Sequence, residues 1–200
     1  MRAGGARCKA ATALASGWGS RRDLQPATWG APPGSFFYGV VVLMLTAHLP
    51  SGYVLARLVP EGHRLLLPAA LIGAVLPDFD MLWFHFVDHG SIHHHRYWVH
   101  IPAFWAMVAV PVLVGLACFA RSLLAPAGIF FAALFLHMVL DTIGGGILWG
   151  APFSDHLYTL VHVPATQSHW VLSFLLHWTF VLELGIWALA LYLWRKRSRI

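Results

Sequence analysis

The chain has 200 residues, of which 58% are hydrophobic and 10% are charged, and its mean hydropathy is +0.67. This composition excludes an ordinary soluble domain, which needs more polar surface, and favours a membrane protein with several spans. The formal charge of +5 does not indicate nucleic-acid binding, because the basic residues lie at chain ends and in short loops rather than along one face. Cys8 and Cys118 are too few for a disulfide framework or a thiolate metal site.

The N-terminal stretch differs in composition from the rest of the chain. Residues 1–43 begin with a region rich in Gly, Ala, Ser and Arg that lacks the continuous apolar core of a signal peptide. We predict a disordered extension here, or a gene start placed too early, because structured-looking sequence begins at Met44. Residues 44–200 are predicted to form one membrane-embedded helical domain.

Five apolar segments follow, each close to the ~20 residues that cross the hydrocarbon layer as a helix. They cover approximately residues 36–59, 65–84, 101–120, 126–149 and 170–194. The first segment is the least regular, since Pro50, Ser51 and Gly52 interrupt it. We therefore predict an all-α fold, namely a polytopic membrane bundle of about five helices, one of them short or re-entrant.

The basic residues predict an orientation for this bundle. If all five segments span, one side of the membrane carries Arg57, Arg64, Arg121, Arg195, Lys196, Arg197 and Arg199. The opposite loops, residues 85–100 and 150–169, carry only Arg96. Because Lys and Arg are retained inside, we predict a multi-pass protein of a bacterial inner membrane with a cytoplasmic C-terminus and outer histidine-rich loops. The basic residues before Met44 conflict with this orientation, and a start at Met44 would remove the conflict.

Carboxylates and histidines cluster in two short motifs within the apolar segments. In HMVLD, His137 and Asp141 are four residues apart, so one helix face presents both to a single cation; the alternative is a neutral polar pair that packs two helices. In LPDFD, Asp78 and Asp80 fall on different faces of an ideal helix, but Pro77 predicts a local departure from it. Either the two carboxylates bridge adjacent ions, or one binds an ion directly and the other holds a ligand in place. The alternative is an ordinary acidic helix end at the membrane surface.

The stretch HHHRYWVH, residues 93–100, contains four histidines. His95 and His100 are five residues apart, a poor match to one helix face, so we predict a turn that lets both reach inward. Arg96 between them offers a planar fork for a phosphate or carboxylate. We interpret His93 and His94 as supporting or incidental rather than as ligands.

Further candidates depend on the predicted topology. His48 would be a structural histidine if taken alone, but the topology places it on the same membrane face as the other candidates. Gly144–Gly146 permit a close backbone approach or a re-entrant turn at this face. His162 and His169 are further candidates to complete a site. For Glu183 the sequence suggests no partner.

At LPDFD, HRYWVH and HMVLD the sequence resembles the YdjM-type family of predicted membrane-bound metal-dependent hydrolases, which shows an early His, LPDxD, HRGxTHS and HxxxD. The resemblance covers about residues 44–155. The matching positions are His48, Pro77, Asp78, Asp80, His95, Arg96, His100, His137 and Asp141. Tyr97, Val99 and Ile101 replace the family's Gly, Thr and Ser, which removes two hydroxyls but leaves the ligands. A distant similarity to zinc-dependent phospholipase C and fungal single-strand nucleases implies phosphoester hydrolysis by analogy.

We therefore expect an integral membrane metal-dependent hydrolase that cleaves a lipid or lipid-linked phosphoester with one or more divalent ions, zinc foremost, at the outer face. The predicted metal ligands are His48, Asp78, His95, His100, His137 and Asp141. Asp80 is predicted to bridge ions or act as general base, and Arg96 to hold the substrate anion. The partner is the lipid bilayer, with no nucleic acid, and the sequence does not indicate an oligomeric state. The alternatives are a metal-binding or transport protein without hydrolysis and a structural protein with interfacial histidines.

Overall fold

The computed structural model describes residues 35–197 apart from 61, 90, 92, 162, 165, 168 and 169, and it describes side chains from residue 46 onward except at 170 and 171. The α-helices are α1 (Ser35–Leu58), α2 (Leu66–Val75), α3 (Asp80–Phe86), α4 (Pro102–Phe119), α5 (Leu124–Gly144), α6 (Trp170–Leu175) and α7 (Thr179–Arg197). The described residues contain one isolated β-bridge and no strand, so the predicted all-α class is confirmed. The prediction for residues 1–43 remains a prediction, since residues 1–34 lie outside the described part.

The second predicted segment is broken at the proline of LPDFD. Helix α2 ends at Val75, and a 3₁₀ turn over Pro77–Phe79 leads into α3. The two halves meet at an angle of 46°. Pro77 has no N–H to continue the helical ladder, and its ring crowds the preceding turn, so the break occurs where the sequence predicts a departure from ideal helix.

The fourth segment ends earlier than predicted. Helix α5 stops at Gly144 rather than near Trp149, because Gly146 adopts a left-handed conformation with φ of +79° that a helix cannot contain. The chain then folds back on the helix end, where the amides of Leu160 and Val161 donate to the carbonyls of residues 142 and 143.

The fifth predicted segment is divided into α6 and α7. Residues 176–178 separate the two helices. At this break, His177 Nδ1 lies 2.9 Å from Thr179 Oγ1 and so contacts the first residue of α7. The amide of Thr179 also donates to this nitrogen at 3.5 Å, a side-chain bond that competes with the backbone bonds of a continuous helix.

Two helical stretches are long and apolar enough to cross a membrane, namely Pro102–Phe119 and Arg121–Gly144. The bent pair formed by α2 and α3 makes a third if it counts as one span. The predicted number of about five spans is therefore not confirmed for the described residues. Large apolar side chains of α4 point outward, including Met107, Val110 and Phe119, as expected for a surface that faces lipid.

Helices α2 and α5 approach very closely, and α5 contains His137 and Asp141. A β-carbon at Gly73 of α2 would lie only 2.2 Å from the carbonyl oxygen of Phe130 in α5. The core beside this crossing contains small residues, including Ala70, Ala74 and Ala133, all fully buried. Small residues permit close backbone contact between membrane helices, and this contact brings the end of α2 against the middle of α5.

Candidate metal centre

Four parts of the fold bring their polar side chains to one buried place. They are the middle of α1, the turn between α2 and α3, the loop before α4, and the end of α5. The side chains that meet there are His48, Asp78, Asp80, His95, His100, His137 and Asp141, each at most 8% exposed. All six predicted metal ligands and one of the two predicted catalytic residues are therefore brought together.

Breaks in regular structure explain how these residues converge. The 3₁₀ turn at Pro77 places both Asp78 and Asp80 inward, although a continuous helix would separate them. Two further 3₁₀ turns, joined by an extended Tyr97, bring the imidazoles of His95 and His100 to a ring-centre distance of 4.7 Å. The predicted inward turn in HHHRYWVH is confirmed. The Tyr97 hydroxyl donates to Asp88 and fixes this loop.

One carboxylate oxygen of Asp141 is the point on which the imidazoles converge. Asp141 Oδ2 lies 3.0 Å from His137 Nε2, 3.6 Å from His100 Nε2 and 3.7 Å from His95 Nε2. His100 Nε2 and His137 Nε2 are 3.4 Å apart, and Asp78 Oδ1 lies 3.7 Å from His137 Nε2. Several electron-rich atoms thus face one another within a small volume.

The opposite nitrogen of each imidazole is held by a fixed acceptor. His137 Nδ1 donates to the carbonyl of Ala74 at 2.7 Å, and His95 Nδ1 donates to the carbonyl of Gly146 at 2.8 Å. A carbonyl only accepts, so Nδ1 carries a proton, and in the neutral ring Nε2 then has its lone pair free to bind a cation. Metal-binding histidines are oriented in this way by their outer partners.

His100 is held by a carboxylate instead of a carbonyl. Its Nδ1 lies 2.8 Å from Asp80 Oδ2, so Asp80 accepts from the back of the ring and Nε2 of His100 faces the other ligands. This contact places Asp80 behind a candidate ligand. Its predicted role as general base remains a prediction.

The glycines after α5 supply the acceptor for His95. The carbonyls of both Gly145 and Gly146 face His95 Nδ1. A β-carbon at Gly146 would lie 2.6 Å from Thr159 Oγ1, and the residue has a positive φ. The predicted close backbone approach at this face is confirmed.

His48 contacts the site through the other oxygen of Asp141. Its Nε2 lies 3.0 Å from Asp141 Oδ1, and its ring stacks on that of His137 with centres 3.8 Å apart. His48, His137 and Asp141 offer ligand atoms within 4.8 Å of one another. The contact with Asp141 orients the carboxylate whose second oxygen faces the other imidazoles.

The arrangement leaves buried polar atoms without partners, which supports a fit to a cation. Among the described residues, no hydrogen-bond partner is found for His48 Nδ1, Asp78 Oδ2, Asp80 Oδ1, His94 Nδ1, His95 Nε2 and Asp141 Oδ2. An unsatisfied buried polar atom costs roughly 1–3 kcal/mol. A divalent cation suits these donors, because neutral imidazole and carboxylate are both metal ligands. The buried His/Asp groups could thus hold a metal ion.

The loop histidines are in the protonation state that metals require. Burial lowers the pKa of His95 and of His100 to about 4, and the negative charge of Asp141 opposes this shift only in part. Burial also lowers the pKa of His94, and the neighbouring His95 lowers it further. These imidazoles are therefore neutral at pH 7, with lone pairs available for a cation.

The other predicted residues lie around this group. Arg96 is exposed beside buried His95, and no side-chain hydrogen bond of Arg96 is found in the described part of the chain. Beyond the end of α5, Trp149 donates its indole N–H to Thr142, whereas Phe153 is almost fully exposed. His162 and His169 lie outside the described residues.

Two residues that contribute to the buried group or its support could not be predicted from the sequence. His94 is buried, with its ring centre 3.9 Å from that of His95; three consecutive histidines look alike in sequence, so no signal distinguished it. Glu183 of α7 accepts from Thr46 Oγ1 at 2.7 Å. This bond attaches α7 to α1 two residues before His48, a contact between helices that spacing along one helix cannot reveal.

Comparison with known proteins gives one family. No match was found among curated proteins or among solved structures. The family model described as YdjM inner membrane protein matches residues 38–199, which include every residue of the buried group. The match covers most of the chain, and its description agrees with the apolar helices. The chain therefore belongs to the YdjM inner membrane protein family.

Proposed function

We propose that this membrane protein is a metal-dependent hydrolase that cleaves a lipid or lipid-linked phosphoester. The observation that carries the proposal is the set of inward Nε2 atoms around Asp141 Oδ2, each on a ring whose Nδ1 already has an acceptor. With these rings neutral, the pocket presents several lone pairs to one another, and a cation that lies among them would satisfy them. A mixed histidine and carboxylate donor set favours zinc.

The ligands of this proposal are the six predicted from the sequence, His48, Asp78, His95, His100, His137 and Asp141. When bound there, a divalent ion lowers the pKa of a water toward ~7 and polarises a phosphoryl oxygen. In the hydrolysis, water supplies a hydroxyl to phosphorus, the ester P–O bond breaks, and the leaving oxygen takes the proton. Asp80 orients His100 and is the residue we propose to accept the proton of the water.

Arg96 is the proposed anion-binding residue. It is exposed next to buried His95, so its guanidinium is accessible to a substrate that approaches the histidines. A guanidinium pairs with two phosphate oxygens in a planar, bidentate geometry. We propose that it holds the phosphoryl group while the ester bond is cleaved.

The surroundings of the group favour an apolar substrate. On α3, directly after Asp80, Leu82, Trp83 and Phe86 are more than half exposed, as is Phe79 between the two carboxylates. These side chains supply an apolar surface beside the site, and lipid tails would occupy it. We therefore propose that the substrate reaches the site from the bilayer.

We also propose that the site faces the outer side of the inner membrane. Arg121 precedes α5 and Asp141 lies near its end, a separation of about 30 Å along the helix. This length matches the hydrocarbon thickness, so the two residues mark opposite faces. Arg195, Lys196 and Arg197 end α7, and basic residues are retained inside. The site would then lie opposite the cytoplasmic C-terminus, which a reporter fusion at the C-terminus tests.

The function is tested with purified protein reconstituted with zinc. We expect hydrolysis of bis(p-nitrophenyl) phosphate or of a phospholipid that is lost on chelation and restored by metal. Asp141→Asn should abolish both turnover and metal retention, and His100→Ala should abolish turnover and lower the amount of metal retained, whereas Asp155→Asn and His156→Ala, at exposed positions, should preserve both. Bound metal without turnover on any ester would support the metal-binding alternative, and turnover that persists in Asp141→Asn would contradict the proposal.

A further inference from the structure

The buried group contains more donors than one ion uses. Three sets of side chains offer ligand atoms within 4.8 Å of one another, and together they comprise seven residues. A protein-bound zinc ion takes about four ligands. Two of the sets share no residue: the first is His48, His137 and Asp141, and the second is His94, His95 and His100. The donors therefore divide naturally into two groups.

His94 is the residue that distinguishes a centre for two ions from a centre for one. It is buried, and its Nδ1 has no hydrogen-bond partner among the described residues. Its ring centre lies 3.9 Å from that of His95 and 5.7 Å from that of His100. The preceding His93 is exposed and uses its Nδ1 to accept from the amide of His95. His93 and His94 thus have different environments, and of these two only His94 faces the cluster.

Asp141 belongs to the first group and also faces the second. Its Oδ2 is 3.0 Å from His137 Nε2 in the first group, and 3.7 Å and 3.6 Å from His95 Nε2 and His100 Nε2 in the second. Asp78 Oδ1 lies near His137 and so belongs to the first group. A central carboxylate flanked by two donor sets is the arrangement that holds two cations ~3.5–4 Å apart.

We propose that His94, His95 and His100 form a second divalent-cation subsite, adjacent to a first subsite made by His48, His137 and Asp141. The inference deepens the proposed function and rests on its metal centre. It adds His94, which lies outside the motif that carries the family resemblance, as a ligand. Asp141 then faces both cations, and its loss would affect both subsites, whereas loss of His94 would affect one.

The test counts zinc ions in the full-length protein. Purified protein in detergent is loaded with zinc, freed of excess ion and measured by elemental analysis against protein concentration. We expect about two equivalents in the wild type. His94→Ala and His94→Gln should each retain about one equivalent, and Gln preserves much of the side-chain volume. The matched control is His93→Asn, which keeps an acceptor for the His95 amide and should retain the wild-type content.

A second readout distinguishes loss of a ligand from general damage. With Co²⁺ in place of zinc, titration of the wild type should give two absorption phases, and His94→Gln should lose one phase while keeping the other. One equivalent in the wild type would overturn the second subsite and leave the proposed hydrolase intact. Full content in both His94 variants would also overturn it, and no metal in the wild type would overturn both proposals.

Discussion

Substitution of Gly73 by Ala tests how helix packing positions the site. The new β-carbon would lie 2.2 Å from the carbonyl oxygen of Phe130, whereas carbon and carbonyl oxygen normally stay ~3.3 Å apart or more. Helices α2 and α5 must therefore separate by about 1 Å at this crossing. Neither atom belongs to a flexible side-chain end that could move aside, so the backbones take up the shift.

The separation acts directly on a candidate ligand. His137 of α5 donates to the carbonyl of Ala74 in α2 at 2.7 Å, next to the substituted residue. A displacement of about 1 Å lengthens this bond beyond the usual ~3.2 Å limit. The His137 ring would then rotate freely, and Asp78 in the 3₁₀ turn that follows α2 would be displaced. Together these changes should weaken zinc affinity ~10–100-fold, as for loss of other outer partners.

The assay is a competition titration of zinc between the purified protein and a chromophoric chelator, with a thermal melt for each variant. Gly128→Ala is the matched control, because a β-carbon at Gly128 of α5 meets nothing within 4 Å. It should leave zinc affinity unchanged and raise stability slightly, by up to ~1 kcal/mol, since Ala favours the helix. Wild-type zinc affinity in Gly73→Ala would refute this reasoning about the α2–α5 contact.

Three further outcomes follow from the same contacts. Asp80→Asn removes the carboxylate that accepts from His100 Nδ1 and should lower zinc affinity ~10–100-fold, whereas Asp155→Asn should not change it; equal affinities would contradict the positioning role. Gly146→Ala forces a side chain into a backbone with φ of +79°, at a cost of about 1–2 kcal/mol, so the melting temperature should fall; an unchanged melt would count against this. Metal-free protein should lose stability as pH falls from about 6 to 4, because unfolded histidines bind protons there while the pKa values of His95 and His100 are about 4. The loss is on the order of 3 kcal/mol per histidine, and a flat profile would contradict the assigned burial.

The sequence predicted the helices well wherever apolar length alone decides them. Helix α4 (Pro102–Phe119) almost coincides with its predicted segment, and α1 (Ser35–Leu58) does so as well. Hydropathy does not record where a helix stops inside an apolar run. The end of α5 at Gly144 depends on the left-handed Gly146 and on hydrogen bonds from residues far along the chain, which no local pattern shows.

The part of the site that lies on one helix could be predicted, because the spacing of its residues along the sequence matches one helical turn. His137 and Asp141 are one turn apart, and the structure places their contacting atoms 3.0 Å apart. The proline in LPDFD indicated a break, but its effect on Asp78 and Asp80 required the three-dimensional turn. The burial of His94 depends on how an irregular loop packs beside α3, where the ring of Phe84 lies 5.9 Å from that of His94, so periodicity could not separate it from His93.

The most direct test of the metal centre is a structure of the zinc-loaded protein with anomalous scattering measured at the zinc edge. We expect anomalous density among Asp141 Oδ2 and the Nε2 atoms of His95, His100 and His137, with each Nδ1 still bonded to its carbonyl or carboxylate acceptor. Density only at surface histidines such as His156, or none in a protein that retains this fold, would contradict a metal centre at the buried group.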